Sequence, residues 1–179
     1  MAADAFLQVD GIKGESTDKD HKEWIEILSY NWGVSQMASA SASSSGGGST
    51  QRADFQDLSV VKELDSATPL LSKACWGGKH IDKVVLELNR AAGDQREKYM
   101  TYEMENVIIS SVSVGGGGGG IPTESLTFNY GKLTTTYYKQ ARKGGGTAGE
   151  VPAGWNLEEN VHLKRLLNQT GWIDKLLSY

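Results

Sequence analysis

The sequence predicts a mainly β protein of the sandwich or barrel type, with one short internal α-helix. Three observations support this class. Short segments of alternating apolar residues recur, polar or glycine-rich stretches separate them, and one internal segment carries helix start and stop signals. The chain has 179 residues, 39% of them hydrophobic, which suits one well-packed domain. The predicted strands lie within residues 5–12, 22–34, 55–64, 83–91, 96–114 and 124–140.

The strand predicted within residues 22–34 has large apolar residues at one end of both of its faces. Successive side chains of a strand point to opposite sides, so a strand covered on both sides has apolar residues at odd and even positions. One face would present Trp24, Glu26, Leu28, Tyr30 and Trp32, and the other would present Ile25, Ile27, Ser29 and Asn31.

The strand predicted over residues 124–140 has a simpler alternation. Leu126, Phe128 and Tyr130 share one face, and Thr127 and Asn129 share the other. This pattern is typical of a strand with one buried face and one exposed face.

A short helix is predicted over residues 69–76. Ser66 or Thr68 can accept hydrogen bonds from its first turn, Pro69 is tolerated there, and the glycines at 77 and 78 end it. We expect the helix to pack against a sheet through four residues. These are Leu70 and Ala74, with Leu71 and Cys75 beside them.

Six consecutive glycines, residues 115–120, separate the last two predicted strands. A phosphate-binding loop would continue with Lys and Ser or Thr and then a helix. Ile121 and Pro122 follow instead, and a strand pattern comes after them. The run therefore predicts a connection between two strands and not a phosphate site.

A second connection, between Gln36 and Arg52, consists almost entirely of small residues. A loop of this length inside a compact domain is uncommon and is usually functional or disordered. Two interpretations stay open. The segment is a mobile hairpin loop, or it becomes ordered only against a neighbouring molecule.

Composition argues against several classes of protein. The net charge of −4 is spread along the chain and does not favour nucleic acid. No stretch of about 20 apolar residues predicts a membrane span, and the first ten residues do not resemble a signal peptide. We therefore expect a chain that is made in the cytoplasm and stays soluble. The single cysteine, Cys75, excludes an internal disulfide.

No motif predicts catalysis, a cofactor or a metal. His21, His80 and His162 are far apart and lack neighbours at metal-ligand spacing, so all three are interpreted as solvated surface residues. Cys75 has no partner that would make it a nucleophile. We therefore expect no catalytic, cofactor-binding or metal-binding residues, and no enzyme.

Five segments occur in order over about residues 1–161: FLQVDGIKGES, HKEWIEILSYNWGVSQ, FQDLSVVKELDSATPLLSKACWGGKH, VIISSVSVGG and GWNLEENV. They closely resemble the haemolysin-coregulated protein (Hcp) family of type VI secretion systems. The resemblance implies a compact β-barrel of two packed antiparallel sheets with one flanking short α-helix, and six copies of this barrel form a ring. Rings stack into a tube that is tipped by a spike protein and driven by a contractile sheath, and the lumen carries effector proteins. The protein would be secreted without a cleaved signal peptide.

The resemblance also implies where cargo and neighbouring rings make contact. The strand from Trp24 to Trp32 would lie along the inner wall, which makes Ser29 and Asn31 candidates for cargo contact unless they are merely exposed to solvent. The small-residue loop would project toward the next ring. Its candidate stacking residues are Ala38, Ser41, Ser44, Gly47 and Gln51. The alternative function is a small-ligand-binding β-barrel without a role in secretion.

Most members of the resembled family end shortly after the GWNLEENV segment, so residues 1–161 are interpreted as one domain and residues 162–179 as an extension. The extension has the spacing of an amphipathic helix, interrupted by Gly171. Its apolar stripe could pack on its own barrel or an adjacent subunit, dock a partner, or belong to an appended segment. The predicted docking face is Leu163, Leu166, Leu167, Ile173 and Leu177.

Overall fold

A computed structural model of the chain describes residues 3–36, 52–92, 95–140, 147–168 and 171–176. These residues form twelve strands and one helix. In chain order they are β1 (Ala3–Val9), β2 (Ile25–Ile27), β3 (Ser29–Asn31), β4 (Val34–Ser35), β5 (Asp54–Phe55), β6 (Leu58–Glu63), α1 (Thr68–Trp76), β7 (His80–Ala92), β8 (Gln95–Gly115), β9 (Thr123–Gln140), β10 (Thr147–Asn156), β11 (Val161–Asn168) and β12 (Gly171–Leu176).

The strands form two antiparallel sheets. The larger one has the order β12-β11-β10-β9-β8-β7-β1-β2, and β6 joins it by pairing with both β9 and β3. Strands β4 and β5 form the second sheet. The predicted class, mainly β with two antiparallel sheets and one flanking helix, is confirmed. Among the described strands the two ends of the larger sheet do not pair with each other, so it is not a closed barrel.

The glycine run lies in the turn of the longest hairpin. Strand β8 ends at Gly115, which is opposite Thr123 at the start of β9. Residues 116–122 connect the two strands, so the prediction of a strand connection is confirmed.

The core fills the space between the sheet and α1. Leu126, Phe128 and Tyr130 of β9 are buried, as their alternation predicts. Strand β7 contributes Val84, Leu86 and Leu88 in the same way. Further core residues are Leu7, Val9, Ile25, Leu58, Val60, Leu71, Met104, Val107 and Ile109.

The strand predicted over residues 22–34 is broken at Leu28, and this corrects its predicted faces. Strand β2 pairs with β1, whereas β3 pairs with β6. Leu28 lies at the bend and is 61% exposed, although its backbone N–H still donates to the carbonyl of Val61 at 2.8 Å. Because the chain changes partners here, β2 has buried residues on one face while β3 is exposed throughout.

Helix α1 begins one residue before the predicted start and ends at the predicted residue. Leu71 and Ala74 are buried, but Leu70 is 48% exposed, so its predicted packing role is wrong. The N-cap is Ala67, and no side chain caps the helix. Thr68 does not act as the cap because its hydroxyl donates to Glu124 Oε1 at 2.7 Å.

A buried ionic network fixes the start of α1 to the sheet. The Lys62 ammonium is fully buried and lies 2.6 Å from Glu124 Oε1 and 2.7 Å from Asp65 Oδ1. Asp65 Oδ1 also accepts a hydrogen bond from the backbone N–H of Ala67 at 2.9 Å. Burying these charges is costly unless they are paired, so the network favours the one register in which they meet. It joins β6, β9 and α1.

The predicted C-terminal amphipathic helix is wrong. Residues 161–168 and 171–176 form an antiparallel hairpin in which Leu166 is opposite Ile173. Strand β11 also pairs with β10, with Gly154 opposite Leu163. An isolated helix of about 18 residues is marginal in water, whereas the free edge of β10 offers backbone partners at once. The predicted boundary at residue 161 stays a prediction.

The segment from Lys13 to Trp24 folds back so that its two ends lie side by side, and Gly14 permits this close approach. Its N–H donates to the carbonyl of Glu23 at 2.8 Å. A Cβ at this position would lie 2.7 Å from the carbonyl carbon of Trp24 and 2.8 Å from the Cα of Ile25. These neighbours are backbone atoms, which cannot move aside as a flexible side chain can.

We predict that Gly14→Ala lowers the free energy of unfolding by about 2 kcal/mol, because the added methyl group overpacks this turn. The matched control is Gly117→Ala, where a Cβ meets nothing within 4 Å. The control is expected to change stability by less than about 0.5 kcal/mol. Urea unfolding of both variants measures the difference. Equal stability of the two would contradict the assigned packing at Gly14.

Candidate functional site

The two predicted cargo-contact residues lie together on an exposed strand. Ser29 and Asn31 are the first and last residues of β3, opposite Val61 and Ser59 of β6. Both are exposed, as is Tyr30 between them. Alternate residues of a strand share one face, so the two small polar side chains point to the same side. Their position offers hydrogen-bonding groups without a pocket that would select one ligand.

Trp32, the residue that follows β3, is held in place by a hydrogen bond to Tyr130. Trp32 Nε1 donates to the Tyr130 hydroxyl at 2.5 Å, and that hydroxyl donates to the backbone carbonyl of Gln56 at 2.8 Å. The Trp32 ring also lies 5.8 Å from the ring of Tyr102. Burial raises the pKa of Tyr130 to about 12, because the phenolate would lose its solvation there. These contacts hold the end of β3 in place.

A polar strip lies on the exposed side of β8 and β9. Ser110 Oγ donates to Asp57 Oδ2 at 2.5 Å, and Asn129 Nδ2 donates to Asp57 Oδ1 at 2.8 Å. The hydroxyls of Ser110 and Ser111 bond to that of Thr127 at 2.7 and 2.6 Å. The predicted exposure of Asn129 is confirmed, but nothing in the sequence marks Asp57 as the residue that links the strip to the segment before β6.

His21 is not a surface residue, which corrects its sequence-based interpretation. Only 5% of it is exposed. Its Nδ1 lies 3.0 Å from Asp18 Oδ1, and its Nε2 lies 2.7 Å from Glu87 Oε1. The ring stacks on Phe6 with centroids 4.3 Å apart and meets the edge of Trp24. His80 and His162 are exposed, as predicted.

The His21 contacts join distant parts of the chain and do not form an open catalytic centre. Glu87 lies on β7, so the imidazole fastens the segment of residues 13–24 to the larger sheet. Glu87 Oε1 also accepts a hydrogen bond from Asn89 Nδ2 at 3.3 Å. The sequence could have indicated only one of the two partners of His21. The segment DKDH places Asp18 close to His21, but nothing in the sequence identifies Glu87.

The described residues contain no group of three or more His, Cys, Asp or Glu side chains that could hold a metal ion. No helix in the same part of the chain is long and apolar enough to cross a bilayer. Cys75, on α1, is a free thiol of intermediate exposure that packs against the core.

The remaining predicted site residues fall into two groups. The stacking residues Ala38, Ser41, Ser44, Gly47 and Gln51, together with Leu177, lie outside the described residues. Leu163, Leu166 and Leu167 are in β11, and Ile173 is in β12. The role of these residues in docking stays a prediction.

The comparisons with known proteins agree with this architecture. The chain matches the family described as "Type VI secretion system effector, Hcp" over residues 6–137. It is also 40% identical to the protein hcp1 of Pseudomonas aeruginosa, in an alignment of 162 residues that covers 90% of this chain and 99% of that protein. The chain therefore belongs to the Hcp family of type VI secretion proteins.

Solved structures show the same fold over nearly their whole length. One, described as a type six secretion system protein, has a TM-score of 0.82 at 32% identity and covers 90% of this chain and 99% of its own. Hcp1 from Salmonella typhimurium has a TM-score of 0.73 at 30% identity, covering 91% of this chain and 100% of its own. A type VI effector from Yersinia pestis has a TM-score of 0.70 at 31% identity, covering 86% and 99%.

Membership of the family establishes the broad function. Hcp proteins are secreted structural proteins of the type VI tube and not enzymes, and the family forms hexameric rings. The predicted family, fold class and non-enzymatic role are confirmed. The alternative of a small-ligand-binding barrel has no support among these relatives.

We predict that His21→Ala lowers the free energy of unfolding by about 3 kcal/mol, because two largely buried carboxylates lose their common partner. His80→Ala, at an exposed position, is the control and is expected to change stability by less than about 0.5 kcal/mol. Urea unfolding of the two variants tests the assignment. A His21 variant as stable as the control would show that the cluster does not hold the segment to β7.

Tyr130→Phe tests the aromatic anchor through its pH dependence. The unfolded chain releases the tyrosine proton near pH 10, whereas the native chain keeps it to about pH 12. The unfolded state therefore binds fewer protons in this window, and stability falls as the pH rises through it. We expect Tyr130→Phe to lose about 1–2 kcal/mol at neutral pH, from two lost hydrogen bonds.

Between about pH 9 and about pH 11 the variant should also lose less stability than the wild type. Unfolding by urea at both pH values gives the comparison. Burial raises the pKa of Tyr30 and Tyr102 as well, so the decline is reduced and not abolished. An identical decline in both proteins would contradict the role of Tyr130.

Proposed function

We propose that this chain assembles as hexameric rings which stack into a type VI secretion tube and carry effector proteins through the lumen. The observation that supports this most directly is the shared fold, which extends over 99% of a solved type VI secretion protein at 32% identity. The rings assemble and stack in the cytoplasm. A contractile sheath then drives the resulting tube, which has a spike protein at its tip, out of the cell.

We assign the exposed face of β3 to the lumen. Ser29 and Asn31 are small and polar, and they offer both donors and acceptors to different protein surfaces. The strand that bears them is fixed to β6 on one side and at its end by Trp32 and Tyr130. A rigid wall with short side chains can touch varied cargo without a large loss of side-chain entropy.

Ring stacking is assigned to the small-residue loop that contains Ala38, Ser41, Ser44, Gly47 and Gln51. Strands β4 and β5 pair at its base, with Ser35 opposite Asp54. They form a two-stranded sheet separate from the larger one, and this sheet flanks the loop in the sequence on both sides. A glycine- and serine-rich composition lets such a loop adapt its shape to a partner.

The experiment combines Ser29→Arg with Asn31→Arg and measures both rings and cargo. Electron microscopy of the purified variant is expected to show intact rings, because both residues are exposed. Effector co-purified per ring should fall about tenfold, since long charged side chains displace the cargo. Asp82→Arg, an exposed residue on β7, serves as the control and should retain cargo.

Two results would contradict the proposal in different ways. Wild-type protein that stays monomeric at every concentration would overturn the ring assignment. Rings that retain full cargo in the double variant would overturn only the assignment of β3 to the lumen.

A further inference from the structure

The last residue of α1 presents a large aromatic ring to solvent. Trp76 is 81% exposed, although a tryptophan carries a large apolar area that is usually buried. The backbone N–H of Gly77 donates to the carbonyl of Lys73 at 3.1 Å, which closes the last helical turn and fixes the position of Trp76. An exposed tryptophan on a rigid element is the kind of residue that dominates the binding energy of protein interfaces.

The surface around Trp76 is basic. The segment of residues 66–81 contains two lysines and no acidic residue. Lys73 lies one turn before Trp76 on α1, and Lys79 lies three residues after it. Both lysines are exposed, and neither forms an ion pair with another described residue. These three residues form the basic end of α1.

An acidic groove lies beside β1 and β2, near the start of α1. Its volume is about 480 Å³, and no Lys or Arg is among its lining residues. Leu28 and Ile121 line it and are 61% and 60% exposed. Its carboxylates are Asp4, Glu15, Glu26, Glu63 and Asp65. Negative charge and exposed apolar side chains thus occur together in one concave surface.

Some of these carboxylates have partners within the chain. Asp65 is bonded to the buried Lys62, and Glu15 accepts a hydrogen bond from a backbone N–H at 3.2 Å. Glu26 and Glu63 are both exposed, and neither forms an ion pair with another described residue. The groove therefore suits a basic partner surface that carries a large apolar ring.

We propose that the acidic groove of one copy receives the basic end of α1 from the neighbouring copy in the ring. The indole ring of Trp76 covers Leu28 and Ile121, and its Nε1–H donates to a carboxylate of the groove. The two lysines of the basic end meet the two carboxylates that have no ion pair within their own chain. The inference rests on the proposed ring, which supplies the neighbouring copy.

The positions of the two surfaces require that they come from different copies. Asp65 lines the groove and lies three residues before α1, whereas Trp76 is the last residue of this nine-residue helix. At 1.5 Å per residue the two ends of α1 are about 12 Å apart, so Trp76 does not reach the groove of its own chain. A closed ring requires two different complementary surfaces on every subunit. The residues assigned to the contact all lie within residues 6–137, the part of the chain that matches the Hcp family.

The first test removes the aromatic ring from the full-length chain. Trp76→Ala is expected to lower the hexamer fraction about tenfold in light scattering, because truncating a central tryptophan weakens an interface strongly. The matched control is Tyr137→Ala, which removes an aromatic residue of β9 that is 47% exposed and lies outside both surfaces. The control should keep its rings. Both side chains are exposed, so both variants are expected to fold.

The second test reverses the charge of each surface. One variant combines Glu26→Lys with Glu63→Lys, and the other combines Lys73→Glu with Lys79→Glu. Each alone is expected to lower the hexamer fraction about tenfold in light scattering and electron microscopy, because like charges then meet at the contact.

Mixing the two charge variants in equal amounts shows whether the two surfaces meet each other. If they do, each reversed groove meets a reversed helix end and each normal groove meets a normal one, so alternating copies close a ring. We expect the mixture to restore hexamers. The control combines Asp20→Lys with Glu150→Lys, exposed residues outside both surfaces, and should form rings without a partner variant.

The outcomes separate this inference from the proposed function. Wild-type protein without rings overturns the proposed function. Wild-type rings together with unimpaired rings of the Trp76 variant overturn the docking alone, and so does a loss of rings in both charge variants that mixing fails to restore. Groove variants whose rings are intact but lack effector would show that the groove binds cargo instead, which also overturns the docking. Circular dichroism of each variant confirms that it is folded.

Discussion

The pairing of β9 is the constraint on which the rest of the structure depends. Along one side β9 pairs with β8 from Gly115 to Met100. Along the other, its first residues pair with β6 and its last residues pair with β10. The change of partner takes place around Gly131, whose carbonyl accepts from the backbone N–H of Leu157 at 2.8 Å. One strand thus joins the core side of the sheet to the segment that leads into the C-terminal hairpin.

The buried ionic network makes the register of this strand specific. Backbone hydrogen bonds alone would tolerate a shift of two residues, because such a shift keeps the same face inward. Lys62 on β6 and Glu124 on β9 are opposite one another in the pairing, and their charged atoms meet at 2.6 Å. A shifted register would leave a charge buried without its partner, which costs several kcal/mol in general. Register and the position of α1 are therefore set together.

Patterns within short segments of the sequence were sufficient to predict features that depend on neighbouring residues alone. The alternation of Leu126, Phe128 and Tyr130 predicted a buried face, and the glycine run predicted a hairpin connection. Pro69 and the paired glycines predicted the helix. Periodicity cannot specify which residues of distant segments meet, and this is where prediction failed. Glu87 lies 66 positions from His21, so a buried histidine could not be inferred from its own neighbourhood.

The other wrong predictions concern segments whose structure depends on which strand they pair with. The bend at Leu28 exists because β2 and β3 pair with different strands, and a strand pattern contains no information about its partners. The same holds for the tail. The leucines of residues 162–179 fit helical spacing, but the choice between helix and strand depends on the open edge of β10, which belongs to another segment. For the candidate site, Ser29 and Asn31 were predicted from the resemblance, whereas the contact between Trp32 and Tyr130 required the fold.

The open edge of the sheet also limits how neighbouring copies can meet. An exposed edge strand offers unpaired backbone groups and tends to aggregate, and charged residues on it oppose that pairing. The sequence of β12, GWIDKL, has adjacent charged residues at its centre. Continuous strand pairing between subunits through this edge is therefore disfavoured.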